Sequence, residues 1–142
     1  MKIVDTNVLL YAVNAGSAPH SACRAWLIDA LEGAEGVGLP WVSLLGFIRI
    51  STNPRIFEHP LTSAQATDLV QAWLAQPSAL TPEPTPRHAS ILAGLVAQSG
   101  VAGNLTTDAH LAALALEYDA EVVTMDRDFE RFGVRVVVPG RI

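Results

Sequence analysis

Three aspartates stand where a carboxylate is costly to place and useful to have. Asp5 follows the short apolar run Ile3-Val4, and Asp126 comes two residues after Thr124, which ends the run Glu121-Val-Val-Thr124. Asp108 lies in Leu105-Thr-Thr-Asp-Ala-His-Leu-Ala-Ala113, near the start of a helical pattern. In open parallel sheets, ligands bind outside the carboxyl ends of the strands, near a switch in strand order. Asp5 and Asp126 fall just past such ends, so the three carboxylates are expected along one edge of a sheet. Each alone has a structural explanation: Asp5 or Asp126 as the cap of the helix after its strand, Asp108 in the positive field of a helix N-terminus. As a set they repel, and without a cation one would be driven to its protonated form. A hard divalent ion such as Mg²⁺ removes that conflict by taking one to three carboxylates while keeping several waters. The chemistry it serves is phosphodiester hydrolysis, with a bound water as nucleophile and a polarised phosphoryl oxygen.

The elements that must position these residues follow from periodicity and breakers. Ile3-Val4, Val37 to Leu39, Ser78 to Thr81, Glu121 to Thr124 and Val134 to Val138 read as strands. Helices are expected over Asn7–Ala15, Pro19–Leu31, Trp41–Ile50, Ser63–Gln76, Arg87–Gln98 and Thr107–Tyr118, with a helical turn from Asp126 to Phe132. Trp41–Ile50 is apolar on nearly every face, as a buried helix would be, and Thr62 or Ser63 is the expected cap of the next helix. Strands separated by helices describe an α/β sandwich with a mostly parallel sheet, because parallel neighbours need long crossovers.

A chain of 142 residues, 50% of them hydrophobic, matches one compact domain over 1–142, since chains split only at roughly 250 residues or more. With 9 Lys+Arg against 14 Asp+Glu, the net charge of −5 excludes a general polyanion binder. A nucleic-acid partner would need a local arginine face, which favours a short or structured target. The single Cys23 reads as a small buried thiol in a reducing compartment. Met1-Lys2-Ile3-Val4-Asp5 lacks the apolar core of a signal peptide, and the uncharged run His88–Thr107 is broken by Gln98, Ser99, Asn104 and three glycines. A soluble, cytoplasmic protein without membrane association is expected.

Val4-Asp5-Thr6-Asn7, Thr107-Asp108-Ala109-His110-Leu111-Ala112 and Thr124-Met125-Asp126-Arg127-Asp128-Phe129, in that order over this length, resemble a PIN-domain ribonuclease, specifically the VapC toxin of a type II toxin–antitoxin pair. The resemblance spans essentially the whole chain. It implies a three-layer α/β/α sandwich and a Mg²⁺- or Mn²⁺-dependent endoribonuclease acting on a structured RNA of the tRNA or rRNA class. It implies catalytic and metal-binding roles for Asp5, Asp108 and Asp126. It also implies a homodimer neutralised by a DNA-binding, VapB-type antitoxin that wraps the toxin and blocks its site.

Thr6 and Asn7 would orient Asp5, a plain helix start being the alternative for Thr6. Asp128 is an auxiliary acid or an exposed first-turn Asp. Arg49 and Arg55 are candidates for phosphate contact, and Arg49 equally suits pairing with an acid. Family members usually carry a fourth acid three residues before an arginine in the helix after the second strand; here Gly46 precedes Arg49, as Gly-Phe does in a VapC subgroup. A glutamate at position 46 is expected to tighten metal binding if the side chain has room. His20, His59 and His88 read as surface groups, and His110, two residues past Asp108, points elsewhere on its helix. Trp26, Trp41 and Trp73 read as core or dimer-interface anchors.

Two other readings compete. A haloacid-dehalogenase-like phosphatase needs a second Asp where Asn7 stands and a placed lysine, whereas Lys2 is the only Lys. The other is a catalytically silent PIN-like domain that only binds antitoxin or RNA.

Overall fold

A computed structural model describes residues 1–100 and 105–141. Asn104, one of the polar breaks in the uncharged run, lies outside the described residues. In chain order the elements are β1 (Lys2–Val4), α1 (Thr6–Val13), α2 (His20–Glu32), β2 (Val37–Gly38), α3 (Trp41–Ser51), α4 (Ser63–Leu74) and β3 (Ala79–Leu80). They continue with α5 (His88–Ser99), α6 (Leu105–Glu117), β4 (Glu121–Val123), a 3₁₀ helix (Arg127–Phe132) and β5 (Val136–Val137).

The strands form one sheet in the order β3-β2-β1-β4-β5, and every pairing is parallel. The chain leaves β1 toward β2 on one side and returns to β4 on the other, so the reversal of strand order falls between β1 and β4. Ile3 pairs with Val122 and Val4 with Val123. That register sets Asp5 level with Thr124, and the Asp5 N–H continues the ladder by donating to the Val123 carbonyl at 2.9 Å.

Alternation along the strands builds two cores. Val4 and Val123 pack with the buried residues of α1, α2, α3 and α4, whereas Ile3 and Val122 pack with α5, α6 and the 3₁₀ helix. The result is an α/β/α sandwich with a sheet covered on both faces, which is why its short strands read as continuous apolar runs. Ala109, Ala112, Ala113 and Ala115 are all buried on α6, and such small side chains let this helix lie close to the sheet.

The capping box at α4 is made by Thr62, whose Oγ1 accepts from the Gln65 N–H while the Gln65 side chain accepts from the Thr62 N–H. The expectation that α3 is buried on nearly every face fails. Ser43, Leu44, Gly46 and Phe47 are buried, but Trp41 and Leu45 are 45% and 58% exposed. The helix packs on α1 and α4 along one face only, and its other face borders an open cleft. Trp73 is a core residue, edge-on to Phe47 with ring centroids 4.9 Å apart; Trp26 lies at the margin of that core. No helix among the described residues is long and apolar enough to cross a membrane.

Candidate active site

The carboxyl end of β1 opens into a cleft of about 840 Å³, lined by Asp5, Thr6, Gly46, Arg49, Thr107 and Asp108 together with apolar residues of α3. Asp126 stands beside this lining rather than within it. The three carboxylates grade from buried to exposed: Asp5 is 8% exposed, Asp108 is half-buried and Asp126 faces solvent.

Asp5 occupies the N-cap position of α1, yet its side chain makes no capping bond. Its Oδ2 instead accepts from the Thr124 hydroxyl at 2.8 Å. Thr124 is fully buried, and its Oγ1 also accepts from Asn7 Nδ2 at 3.2 Å and from the Asp126 N–H at 3.0 Å. Asn7 closes the circuit, its Oδ1 accepting from the Met125 N–H. One hydroxyl therefore ties the end of β1, the first turn of α1 and the approach to Asp126. Asn7 acts on Asp5 through Thr124, a residue that sequence reasoning did not place in the site. Only the register of β1 against β4 brings it there.

Asp126 does cap its helix: Oδ1 accepts from the Asp128 N–H at 2.9 Å. The cap uses one of its two carboxylate oxygens. Thr6 turns away from Asp5, and its hydroxyl donates to the Ser43 carbonyl of α3 at 3.2 Å. The buried Ser43 hydroxyl donates to the Val4 carbonyl at 2.7 Å, fixing α3 to the end of β1. Asp128 is largely exposed and pairs with Arg131. Arg49 borders the cleft, and among the described residues no acid pairs with it. Arg55 is exposed on the loop after α3.

The electrostatics of the cluster are strained. Burial pushes the Asp5 carboxyl above its ordinary range, against the hydrogen bonds from Thr124 and the Thr6 amide, and the Asp126 charge adds to the rise. Asp108 is pushed up from 3.8 to about 6 by burial and by the charges of Asp5 and Asp126, with Arg131 partly opposing. All the donors are carboxylate oxygens, which suits a hard divalent cation. Among the described residues no three acidic, imidazole or thiol groups converge tightly enough to enclose an ion by themselves. An ion held by one or two of these carboxylates would complete its coordination with water.

Gly46 has a steric reason. A Cβ built there would lie 2.7 Å from Thr6 Oγ1 and 3.1 Å from Thr6 Cγ2. The helix faces the carboxylates, as the resemblance implies, but the room assumed for a glutamate at 46 is filled by Thr6.

His88 departs from its expected surface position. It is buried, with Nδ1 on Glu117 Oε2 and Nε2 2.9 Å from His110 Nδ1. Glu117 also accepts from the Thr85 N–H at 2.9 Å, so this network fastens the segment Pro82-Glu-Pro-Thr-Pro86, which leads into α5, to α6. His110 thus faces α5. His20 is half-buried against the Tyr11 carbonyl, and His59 is exposed.

Comparison with known proteins agrees with the fold. Residues 2–134 match the family described as PIN domain. The chain is 52% identical over 136 residues to Ribonuclease VapC37 of Mycobacterium tuberculosis, covering 95% of this chain and 94% of that one. Among solved structures it resembles the Mycobacterium tuberculosis VapC20 toxin, described as cleaving the sarcin–ricin loop, with a TM-score of 0.71, 17% identity and coverage of 98% and 100%. It also resembles VapBC2 from Rickettsia felis bound to a promoter DNA fragment, with a TM-score of 0.68, 16% identity and coverage of 97% and 98%.

Proposed function

The chain belongs to the PIN-domain family of VapC ribonucleases, toxins of type II toxin–antitoxin systems, and from that premise we propose that it hydrolyses RNA internally at the cleft bounded by Asp5, Asp108 and Asp126. The observation that carries the site is the Asp108 carboxyl, held up at about 6 by burial and by two neighbouring carboxylates at the switch point of the sheet. Such a cluster is costly to keep ionised unless a cation is part of its working state.

Asp5, Asp108 and Asp126 would hold Mg²⁺ or Mn²⁺, which supplies charge neutralisation at the phosphate and activation of a water. The other roles are the chain's own. Thr124 keeps one Asp5 oxygen hydrogen-bonded and so fixes the direction in which the carboxylate presents the other. Asn7 holds the Thr124 hydroxyl in that orientation. Arg49, at the cleft wall on α3, meets the RNA backbone and offsets the acidity of the cleft.

The substrate is a structured RNA of the tRNA or rRNA class. A short or structured target, rather than RNA at large, is supported by the net charge of −5, which disfavours indiscriminate coating of polyanions. The protein partners are a VapB-type antitoxin and a second copy of the chain, all within the cytoplasm. Trp41 and Leu45 offer exposed apolar area beside the cleft for such contacts.

The test is cleavage of total cellular RNA by purified protein in Mn²⁺, with the new 5′ ends mapped. Asp108→Asn keeps the shape of the residue and is expected to lower the rate by more than roughly a hundredfold, beyond what losing an outer orienting group costs. A folded wild-type protein that cleaves no RNA would instead support the silent, binding-only reading, to which the missing acid at Gly46 lends weight.

A further inference from the structure

One cation beside the carboxylates has no place in the chemistry above. Arg131 sits in the 3₁₀ helix that begins directly after Asp126. Phe129 and Phe132 are 2% and 5% exposed and pack in the core beneath α6, which fixes the rotation of this short helix. Residues three apart eclipse on a 3₁₀ helix, so Asp128 and Arg131 emerge together on its outer side. Arg131 Nε donates to the Asp128 carbonyl at 3.1 Å, and its NH2 lies 3.4 Å from Asp128 Oδ2. The Asp128 N–H in turn donates to Asp126 Oδ1 at 2.9 Å. The guanidinium is thereby tied, through a single residue, to a carboxylate of the cluster.

Its remaining donors are open. NH1 has no partner among the described residues, and 41% of the side chain is exposed. The 3₁₀ helix packs against α6, which carries Asp108. Three nearby arginines are engaged elsewhere: Arg127 with Glu130, Arg135 with Asp119 and Arg87 with the Glu117 carbonyl.

We propose that Arg131, oriented by Asp128, is a substrate-binding residue that takes a backbone phosphate of the RNA next to the carboxylate cluster. Arg49 borders the cleft from the helical layer on the other face of the sheet, so the two arginines would hold the strand from opposite layers. A guanidinium suits this task because it stays charged and presents its donors as a planar fork to phosphate oxygens. Asp128 accordingly serves to aim Arg131, and needs no role as an auxiliary acid. The inference rests on the ribonuclease reading, and its test separates the two.

The experiment measures binding of a fluorescein-labelled, mixed-sequence 2′-O-methyl RNA in Mn²⁺ by anisotropy across a salt series, for wild type, Arg131→Ala, Arg131→Lys and the remote control Arg135→Ala. Losing one charged hydrogen-bond contact is expected to weaken binding roughly ten- to a hundredfold. Losing one phosphate contact should also reduce the slope of log K against log salt by about 0.7, the single-strand value. Arg131→Lys should keep the slope with intermediate affinity, and Arg135→Ala should match wild type. If Arg131→Ala melts well below wild type, Arg131→Gln retains the bulk and carries the same expectation. An unchanged slope in a folded Arg131 variant, an equal loss in Arg135→Ala, or a wild type that does not bind the probe overturns the proposal. A wild type that binds the probe yet cleaves no RNA removes the ribonuclease reading and leaves Arg131 to be judged by the slopes.

Discussion

The two ends of the same strands treat their acids in opposite ways. At the amino ends, Lys2 Nζ lies 2.7 Å from Glu35 Oε2 and 4.0 Å from Glu121 Oε1, and the Met1 amine is 3.8 Å from Glu35 Oε1. The hydrogen bond and charge of Lys2 pull the Glu35 carboxyl below its ordinary range. At the carboxyl ends, Asp5, Asp108 and Asp126 lie close enough for their charges to oppose one another, and Asp5 and Asp108 are pushed up. Acids that only serve a fold acquire cations, as at the amino ends. Acids held together against their own repulsion mark a place where folding stability has been given up for something that arrives later.

The largest expected effect separates the ends by metal. A divalent ion that binds only the folded state stabilises it by about 2.7 kcal/mol at 100 times its dissociation constant, so Mn²⁺ should raise the melting temperature by several degrees. The effect should also depend on pH. Between about 4 and about 6 the folded protein holds on Asp108 a proton that the unfolded chain has released, so stability from this group falls as pH rises through that window, and the raised Asp5 carboxyl acts in the same direction. Glu35 and Glu117 have lowered values and act oppositely, their contribution being lost as pH falls. Asp108→Asn isolates the first contribution: without metal it should melt higher than wild type near neutrality, and the advantage should vanish near pH 4. A Mn²⁺ series at pH 5 and pH 7.5 checks both, and a melting temperature indifferent to millimolar Mn²⁺ would remove the shared ion.

Next in size is Thr124→Val, which keeps the shape of the side chain and deletes its hydroxyl. Asn7 Nδ2 and the Asp126 N–H lose an acceptor, and Asp5 loses a donor. A loss of about 2 kcal/mol in urea unfolding is expected for these buried groups, with weaker Mn²⁺ affinity by calorimetry. Full retention of both would mean that Asp5 is positioned without Thr124.

A smaller effect sharpens the carboxyl end sterically. In Gly46→Ala the helix gains about 1 kcal/mol of propensity, which the contact with Thr6 should outweigh because overpacking typically costs about 1–3 kcal/mol. The nearest atom left by Thr6→Ala would be its Cβ at 3.5 Å, an ordinary contact. The double variant should therefore recover the loss, and purely additive effects would show that Thr6 does not set the glycine. For the same reason Gly46→Glu is expected to bind Mn²⁺ more tightly only alongside Thr6→Ala. The smallest effect lies at the amino end, where Glu35→Gln breaks an exposed pair and should leave the melting temperature within error of wild type.

Much of this was legible in the chain because it is local. Asp5 and Asp126 sit just past the ends of apolar strand runs and Asp108 where a helical periodicity starts, and those positions need no tertiary information. The order of strands and helices required a parallel sheet for the same reason, since only crossovers fit between them. The apolar content of α3 was legible too, but not its two-sidedness: sequence counts apolar residues, and only packing decides which of them meet a neighbour.

What the tertiary structure alone decided is which distant residues stand level. Thr124 reaches Asp5 because β4 pairs with β1 in one register, and a slip of one residue would turn its hydroxyl to the other face. Gly46 is explained by the closeness of α3 to Thr6, and the burial of His88 by Glu117 on another helix. Arg131 becomes notable only once Phe129 and Phe132 have fixed the helix that aims it. The sequence determined the chemical inventory and its local settings, because these depend on neighbours in the chain. The structure decided the pairings, because they depend on how separate elements pack on one sheet.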